Sequence, residues 1–231
     1  MNRHHRDRLV ATICGLAALA VGALLLTACG SETPSLTYAA PGSHAVGYQV
    51  FTTTGAQQQP LTLRAWYPAH RPNDKQPATI TYTAPNKFDE EITPGKEITS
   101  IGTVFANGRP DRTGGPHPLV VFSHGYALSP IVYSALVEHY ASRGYIVLAP
   151  EHNETFDGSL TGFWKALIDR PVDIQRTIDE AERLNEPGAP LAGLIDMDNV
   201  AVVGHSYGGY TALAVGVHGS TSPPTRPAAR H

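Results

Sequence analysis

Residues 199–217 read NVAVVGHSYGGYTALAVGV, and the change of periodicity inside that stretch decides how the rest of the chain is read. Residues 200–203 form a short, continuously apolar run, the pattern of a strand buried on both faces. Gly204, His205, Ser206, Tyr207 and Gly208 then give the form G-x-S-x-G, and from Tyr210 small and apolar residues resume at a helical start. A strand, a tight turn and a helix in that order place a serine hydroxyl at the edge of a sheet, on a backbone too sharply bent to admit side chains at 204 and 208. Ser206 is therefore the candidate nucleophile. The N–H of Tyr207, the residue after it, is a candidate donor to an oxyanion. The competing reading is a structural turn.

Upstream, the same alternation recurs. Residues 118–125, PLVVFSHG, are an apolar run closed by glycine, and residues 145–150, YIVLAP, are another. Between them Ser129 and Pro130 have the chemistry of an N-cap followed by the first helical position, with Gly144 as the stop. A second helix is expected over 171–184, where Ile174, Ile178, Ala181 and Leu184 recur at helical spacing before Pro187 and Gly188. Strand, helix, strand, helix, strand implies parallel strands joined by right-handed crossovers. The β-rich runs 48–53, 61–68 and 78–85 read as antiparallel lead-in strands. Residues 86–118 are polar with scattered apolar positions, and are read as a long excursion or a small helix. In 156–170, Phe163, Trp164 and Leu167 are open to two readings, a flexible cover over an acyl pocket or ordinary core.

The first 28 residues are of another kind. Arg3, Arg6 and Arg8 precede an apolar run over 9–26, and Leu26, Thr27, Ala28 and Cys29 follow the pattern of a lipobox, in which a cysteine becomes the lipid-bearing first residue. Residues 1–28 are thus expected to be a lipoprotein signal peptide, with Cys29 as lipid anchor on the outer side of a bacterial membrane. A retained membrane-spanning helix is the alternative. Residues 29–47, rich in Ser, Thr, Pro, Ala and Gly, suit a flexible tether. The folded domain is expected over 48–218 and an irregular tail over 219–231. Cys14 and Cys29 are the two cysteines of 231 residues, so a chain beginning at Cys29 has no internal disulfide. A net charge of −3 without a run of one sign excludes a polyanion-binding surface, and no nucleic-acid partner is expected.

At the end of the 118–125 strand stand Ser123, His124, Gly125 and Tyr126. With this loop beside the 204–208 turn, the sequence resembles the α/β-hydrolase fold. More narrowly it resembles the group of platelet-activating-factor acetylhydrolases and dienelactone-hydrolase-like enzymes, over roughly residues 48–217. The resemblance implies an α/β architecture, a mostly parallel sheet with antiparallel lead-in strands. It implies a serine esterase acting on acetyl or other short-chain esters, including platelet-activating-factor-like phospholipids, through an acyl-Ser206 intermediate. The oxyanion donors would be the N–H groups of Tyr126 and Tyr207, with no metal and no cofactor.

The pattern then breaks. In this fold the triad acid and histidine follow the serine, yet no Asp or Glu follows Ser206. His218 is twelve residues on, about 18 Å away by helical rise, and His231 ends a proline-rich tail. His124 and His205 occupy motif positions, His139 is expected on a helix surface and His152 at a pocket edge; Asp157 is an upstream acid that nothing specifically favours. The expectation is a hydrolase whose C-terminal third is missing, with Ser206's strand left as an edge. The alternative is a catalytically inactive envelope lipoprotein or binding domain that keeps the half-fold.

Overall fold

The computed structural model describes residues 39–72, 75–88, 95–156 and 160–219. Residues 1–28, expected to be a signal peptide, Cys29, Asp157 and residues 220–231 of the expected tail lie outside the described residues. Among those described, no helix is long and apolar enough to cross a membrane.

Among the described residues, seven strands form a single mixed sheet: β1 (Ala45–Thr54), β2 (Pro60–Ala69), β3 (Ala78–Pro85), β4 (Glu97–Ala106), β5 (His117–Ser123), β6 (Ile146–Pro150) and β7 (Ile195–Gly204). Their order across the sheet is β3-β4-β1-β2-β6-β5-β7. The half that carries the site is parallel, β6 and β7 flanking β5. It joins through β2 and β6 a half that is antiparallel but for a short parallel contact of β1 with β4, close to what is expected for lead-in strands feeding a parallel sheet.

Alternation along each central strand separates two cores. Ala65, Tyr67, Leu119, Val121, Ile146 and Leu148 face one side, where they meet Ile174, Ala181 and Leu184 of the helix α2 (Leu160–Asn185). Trp66, Val120, Phe122, Val147 and Ala149 face the other, against Val137 and Ala141 of α1 (Ser134–Ser142). Both faces are apolar because helices cover both, which is why these strands lack a polar side. The α1 entry is built as its residues dictate: the Ser129 side chain accepts from the Ile131 N–H, Pro130 opens a short 3-10 turn, and Gly144 closes the unit at φ +93°. The third helix, α3 (Tyr207–Gly219), follows the G-x-S-x-G turn directly and packs beside α2.

Three expectations are corrected. Residues 97–106 are neither excursion nor helix but strand β4, paired antiparallel with β3 from Glu97 to Val104. The helix expected over 171–184 begins at Leu160 and runs through Pro171, so Phe163, Trp164 and Leu167 are helical. Phe163 and Leu167 are half-buried, whereas Trp164 is exposed. The domain also starts before residue 48: β1 begins at Ala45, and ahead of it the N–H groups of Gly42 and His44 bond Ser142 Oγ and O at 2.8 and 3.0 Å. Along β7, Val200 is exposed and Val202 and Val203 are only half-buried, since the strand pairs on one side alone among the described residues.

Candidate active site

Ser206 sits where β7 turns into α3. Its backbone has φ +54°, the left-handed region that costs a non-glycine residue roughly 1–2 kcal/mol. The turn closes on itself by bonds from the Gly208 N–H to His205 O and the Gly209 N–H to Ser206 O, both 2.9 Å. The glycines of the motif are sterically required: a Cβ at Gly204 would overlap the Gly208 carbonyl, and one at Gly208 would overlap the Ser123 carbonyl of β5. Ser206 is left exposed at the apex. Tyr207, buried, starts α3, and a first helical residue has no intrahelical acceptor for its N–H.

The loop after β5 comes alongside. The Tyr126 and Tyr207 rings lie 5.4 Å apart by centroid, and Phe163 of α2 packs on both. One hydroxyl spans loop and turn, since Tyr133 Oη accepts from the Gly125 N–H at 3.2 Å and lies 2.8 Å from His205 Nδ1. Burial pushes the Tyr207 phenol up to about 12, which keeps it a neutral donor to the Phe163 carbonyl at 2.5 Å.

Beneath the loop lies a buried polar network that the sequence reading did not foresee. His152, placed at a pocket edge from sequence, is 1% exposed. Its Nδ1 is 2.8 Å from Asp173 Oδ2 and its Nε2 is 3.0 Å from Ser123 Oγ. Burial, with Arg170 and Lys87 nearby, holds the imidazole well below its ordinary 6.5, so the ring is neutral. Nδ1–H then donates to Asp173, and Nε2 accepts the Ser123 proton. Asp173 is itself raised to about 6 by burial, against a backbone bond from the Ala56 N–H at 2.7 Å. Ser123 is fully buried, so this Ser-His-Asp chain presents no hydroxyl to a substrate; it ties the ends of β5 and β6 to α2.

His124 is also fully buried and held neutral, by burial first and then by Lys87, His152 and Arg170. Its Nδ1 lies 2.7 Å from Gly125 O, a carbonyl, so that nitrogen carries the hydrogen, and Nε2 accepts from the His152 N–H at 3.2 Å. Around it, Arg170 pairs in bidentate fashion with Glu154. Arg170 also donates to His124 O at 2.6 Å and Gly125 O at 3.1 Å. A cavity of about 180 Å³ opens beside this network, with His152, Glu154, Lys165, Asp169 and Arg170 in its wall.

Of the candidates named from sequence, Ser206, Tyr207 and Tyr126 are thus brought to one edge of the sheet, and Cys29 and the side chain of His218 lie outside the described residues. Of the missed residues, Arg170 and Asp173 left a trace and Glu154 left none. Arg170, Asp173, Thr177 and Glu180 are buried polar residues three and four apart on a helix whose other inward positions are Ala166, Ile174, Ala181 and Leu184. No cluster of described His, Cys, Asp and Glu residues has the form of a metal site.

Comparison with known proteins gives the arrangement a context. The chlorophyllase family model matches residues 99–223. A platelet-activating factor acetylhydrolase from Canis lupus familiaris is 30% identical over 155 residues, 49% of this chain and 35% of that protein. Chlorophyllase-1 of Arabidopsis thaliana is 32% identical over 112 residues, covering 48% and 32% of the two chains. Esterase YjfP of Escherichia coli is 34% identical over 107 residues, covering 43% and 40%. Among solved structures, a ferulic acid esterase from Streptomyces cinnamoneus superposes with a TM-score of 0.51 at 25% identity, over 81% of this chain and 58% of that one. The chain spans about a third of the length of the first two of these relatives.

Proposed function

The chain belongs to the chlorophyllase family of α/β-hydrolases, and from that membership and the elbow geometry we propose that it is a serine carboxylic-ester hydrolase with Ser206 as nucleophile. The observation that carries the reading is the exposed serine held at φ +54° in a turn where only glycine fits on either side. In the reaction a bond forms between Ser206 Oγ and the ester carbonyl carbon while the hydroxyl proton passes to a general base. The oxyanion is received by the N–H groups of Tyr207 and Tyr126. Collapse expels the alcohol, and water then cleaves the acyl-serine. Acetyl or other short-chain esters, platelet-activating-factor-like phospholipids among them, are the proposed substrates, and the names of the acetylhydrolase and esterase relatives support that choice. A fluorophosphonate probe is expected to label the full chain and to spare Ser206→Ala; equal labelling of the two rejects the assignment.

The second reading, a binding domain that keeps the cleft without turnover, has its own support. Among the described residues, His124, His152 and His205 at this edge of the sheet are each engaged elsewhere, on Gly125, Asp173 and Tyr133. Hydrolysis of p-nitrophenyl acetate by the 231-residue chain well above a Ser206→Ala control counts against it. We also propose that Cys29 anchors the protein by lipid at the cell envelope. In that case Cys29→Ser is expected to move the protein out of the membrane fraction, and unchanged fractionation rejects the anchor.

A further inference from the structure

The loop that would supply the Tyr126 N–H is closed by a turn bond of its own, from the Leu128 N–H to Gly125 O at 3.2 Å. Ala127 has φ +53°, an uncommon conformation for alanine, so residues 125–127 need outside support. Tyr133 Oη gives part of that support by accepting from the Gly125 N–H, and a buried ion pair gives more: Arg170 and Glu154, whose side chains are 1% and 5% exposed. Arg170 donates to the carbonyls of His124 and Gly125, while Glu154 Oε1 accepts from the Ala127 N–H at 2.8 Å. The pair therefore grips the backbone on both sides of Tyr126. The Gly125 carbonyl and the Tyr126 N–H belong to one planar trans peptide and point in opposite directions. Whatever fixes that carbonyl fixes the direction of that N–H. His124 Nδ1–H and the Leu128 N–H are the second and third donors to the same oxygen, and of the three only Arg170 reaches it from outside the loop. The guanidinium carbon of Arg170 also lies 4.9 Å from the centroid of the Tyr207 ring, so one cation touches the Gly125–Tyr126 peptide through its carbonyl and Tyr207 through its ring.

We propose that the Glu154–Arg170 pair sets the orientation of the Gly125–Tyr126 peptide, which makes Arg170 a positioning residue for the negative charge that develops beside Ser206. This rests on the esterase reading of the elbow. Arginine is required because its donors lie in one plane, two for the carboxylate and two for the carbonyls, and its flat face is left for the ring. A lysine carries the charge but cannot span these partners.

The test compares labelling rates of a fluorophosphonate probe at Ser206, with site occupancy read by mass spectrometry, in four forms of the full chain. These are wild type, Arg170→Lys, the double variant Glu154→Leu/Arg170→Met, and Arg176→Gln as a surface control. The double variant removes both buried charges together, which buried pairs tolerate better than the loss of one partner. Cooperative urea unfolding serves as the check on its fold. Labelling is expected to slow by about 10- to 100-fold in Arg170→Lys and in the double variant, below the roughly 100- to 1,000-fold that outright loss of an oxyanion donor costs because the donor is misdirected and not removed, and to stay at the wild-type rate in Arg176→Gln. Amide hydrogen exchange at Ala127 is expected to speed up in the two slowed variants. Wild-type labelling that persists undiminished in a folded Arg170→Lys or double variant overturns this inference and leaves the esterase intact. Absence of labelling in wild type overturns both. Should the double variant not fold, Arg170→Lys decides by the same rate and the same exchange.

Discussion

At the scale of single residues, the turn at Ser206 trades backbone strain for exposure of a hydroxyl, and its glycines bear the steric cost. Gly208→Ala is expected to destabilise the protein by about 1–3 kcal/mol, because its Cβ would enter the Ser123 carbonyl at the end of β5. A urea midpoint equal to wild type contradicts that contact. His152 teaches the opposite lesson. Nothing in its neighbours along the chain distinguishes a surface histidine from a buried one; its place between Ser123 and Asp173 is set by residues 29 and 21 positions away. His152→Leu leaves Asp173 Oδ2 and the Ser123 hydroxyl without the imidazole that pairs them, at a cost of about 1–3 kcal/mol each. Adding Asp173→Leu to His152→Leu is expected to recover part of that loss. A double variant whose denaturation is simply the sum of the two singles shows that the bond contributes nothing.

At the scale of elements, α2 shows how a local rule can be right in kind and wrong in place. Proline is favoured at the start of a helix, which sets the expected beginning at Pro171. The helix nevertheless extends back to Leu160, held on both sides of the proline by buried Ala166, Arg170 and Ile174. Ile174 is fully buried against the sheet, so Ile174→Ala is expected to cost about 2–5 kcal/mol. Trp164, on the exposed side of the same helix, is expected to tolerate Gln within about 0.5 kcal/mol. Guanidinium titrations of both variants measure the difference. Strand β4 escapes a hydrophobicity reading for a related reason. Its inward positions are Ile98, Ser100, Gly102 and Val104, while Ile101 points outward, so polarity does not track burial. Gly102 is inward because the Tyr82 ring and the Glu138 carboxylate occupy the space beside it.

For the whole molecule, the buried histidines link stability to pH. His124 and His152 are held below 6.5 in the folded state, so below that pH the unfolded chain takes up protons that the folded one does not. Each histidine then removes up to about 1.4 kcal/mol of stability per pH unit of further fall, and the contribution is fully present above 6.5. Asp173 acts in the other direction. With its carboxyl raised from 3.8 to about 6, the folded state retains a proton that the unfolded chain has lost, so its term lowers stability as pH rises through that window. Two histidines outweigh one carboxyl, and the urea midpoint is expected to fall between pH 7.5 and 5.5. A midpoint that holds or rises places charge on these rings in the folded state.

The sequence by itself determined the α/β architecture, the strand-turn-helix at Ser206 and the pairing of that turn with the loop after β5. The first two follow from neighbours a few residues apart, an apolar run, a glycine, an N-cap, and the pairing follows from the resemblance to a known fold. Only the tertiary structure decided the clamp on that loop, the Ser123–His152–Asp173 chain and the inward face of β4. Their partners lie 16 to 56 residues apart in the chain, and a polar side chain shows that it is buried only when the groups satisfying it have been brought alongside.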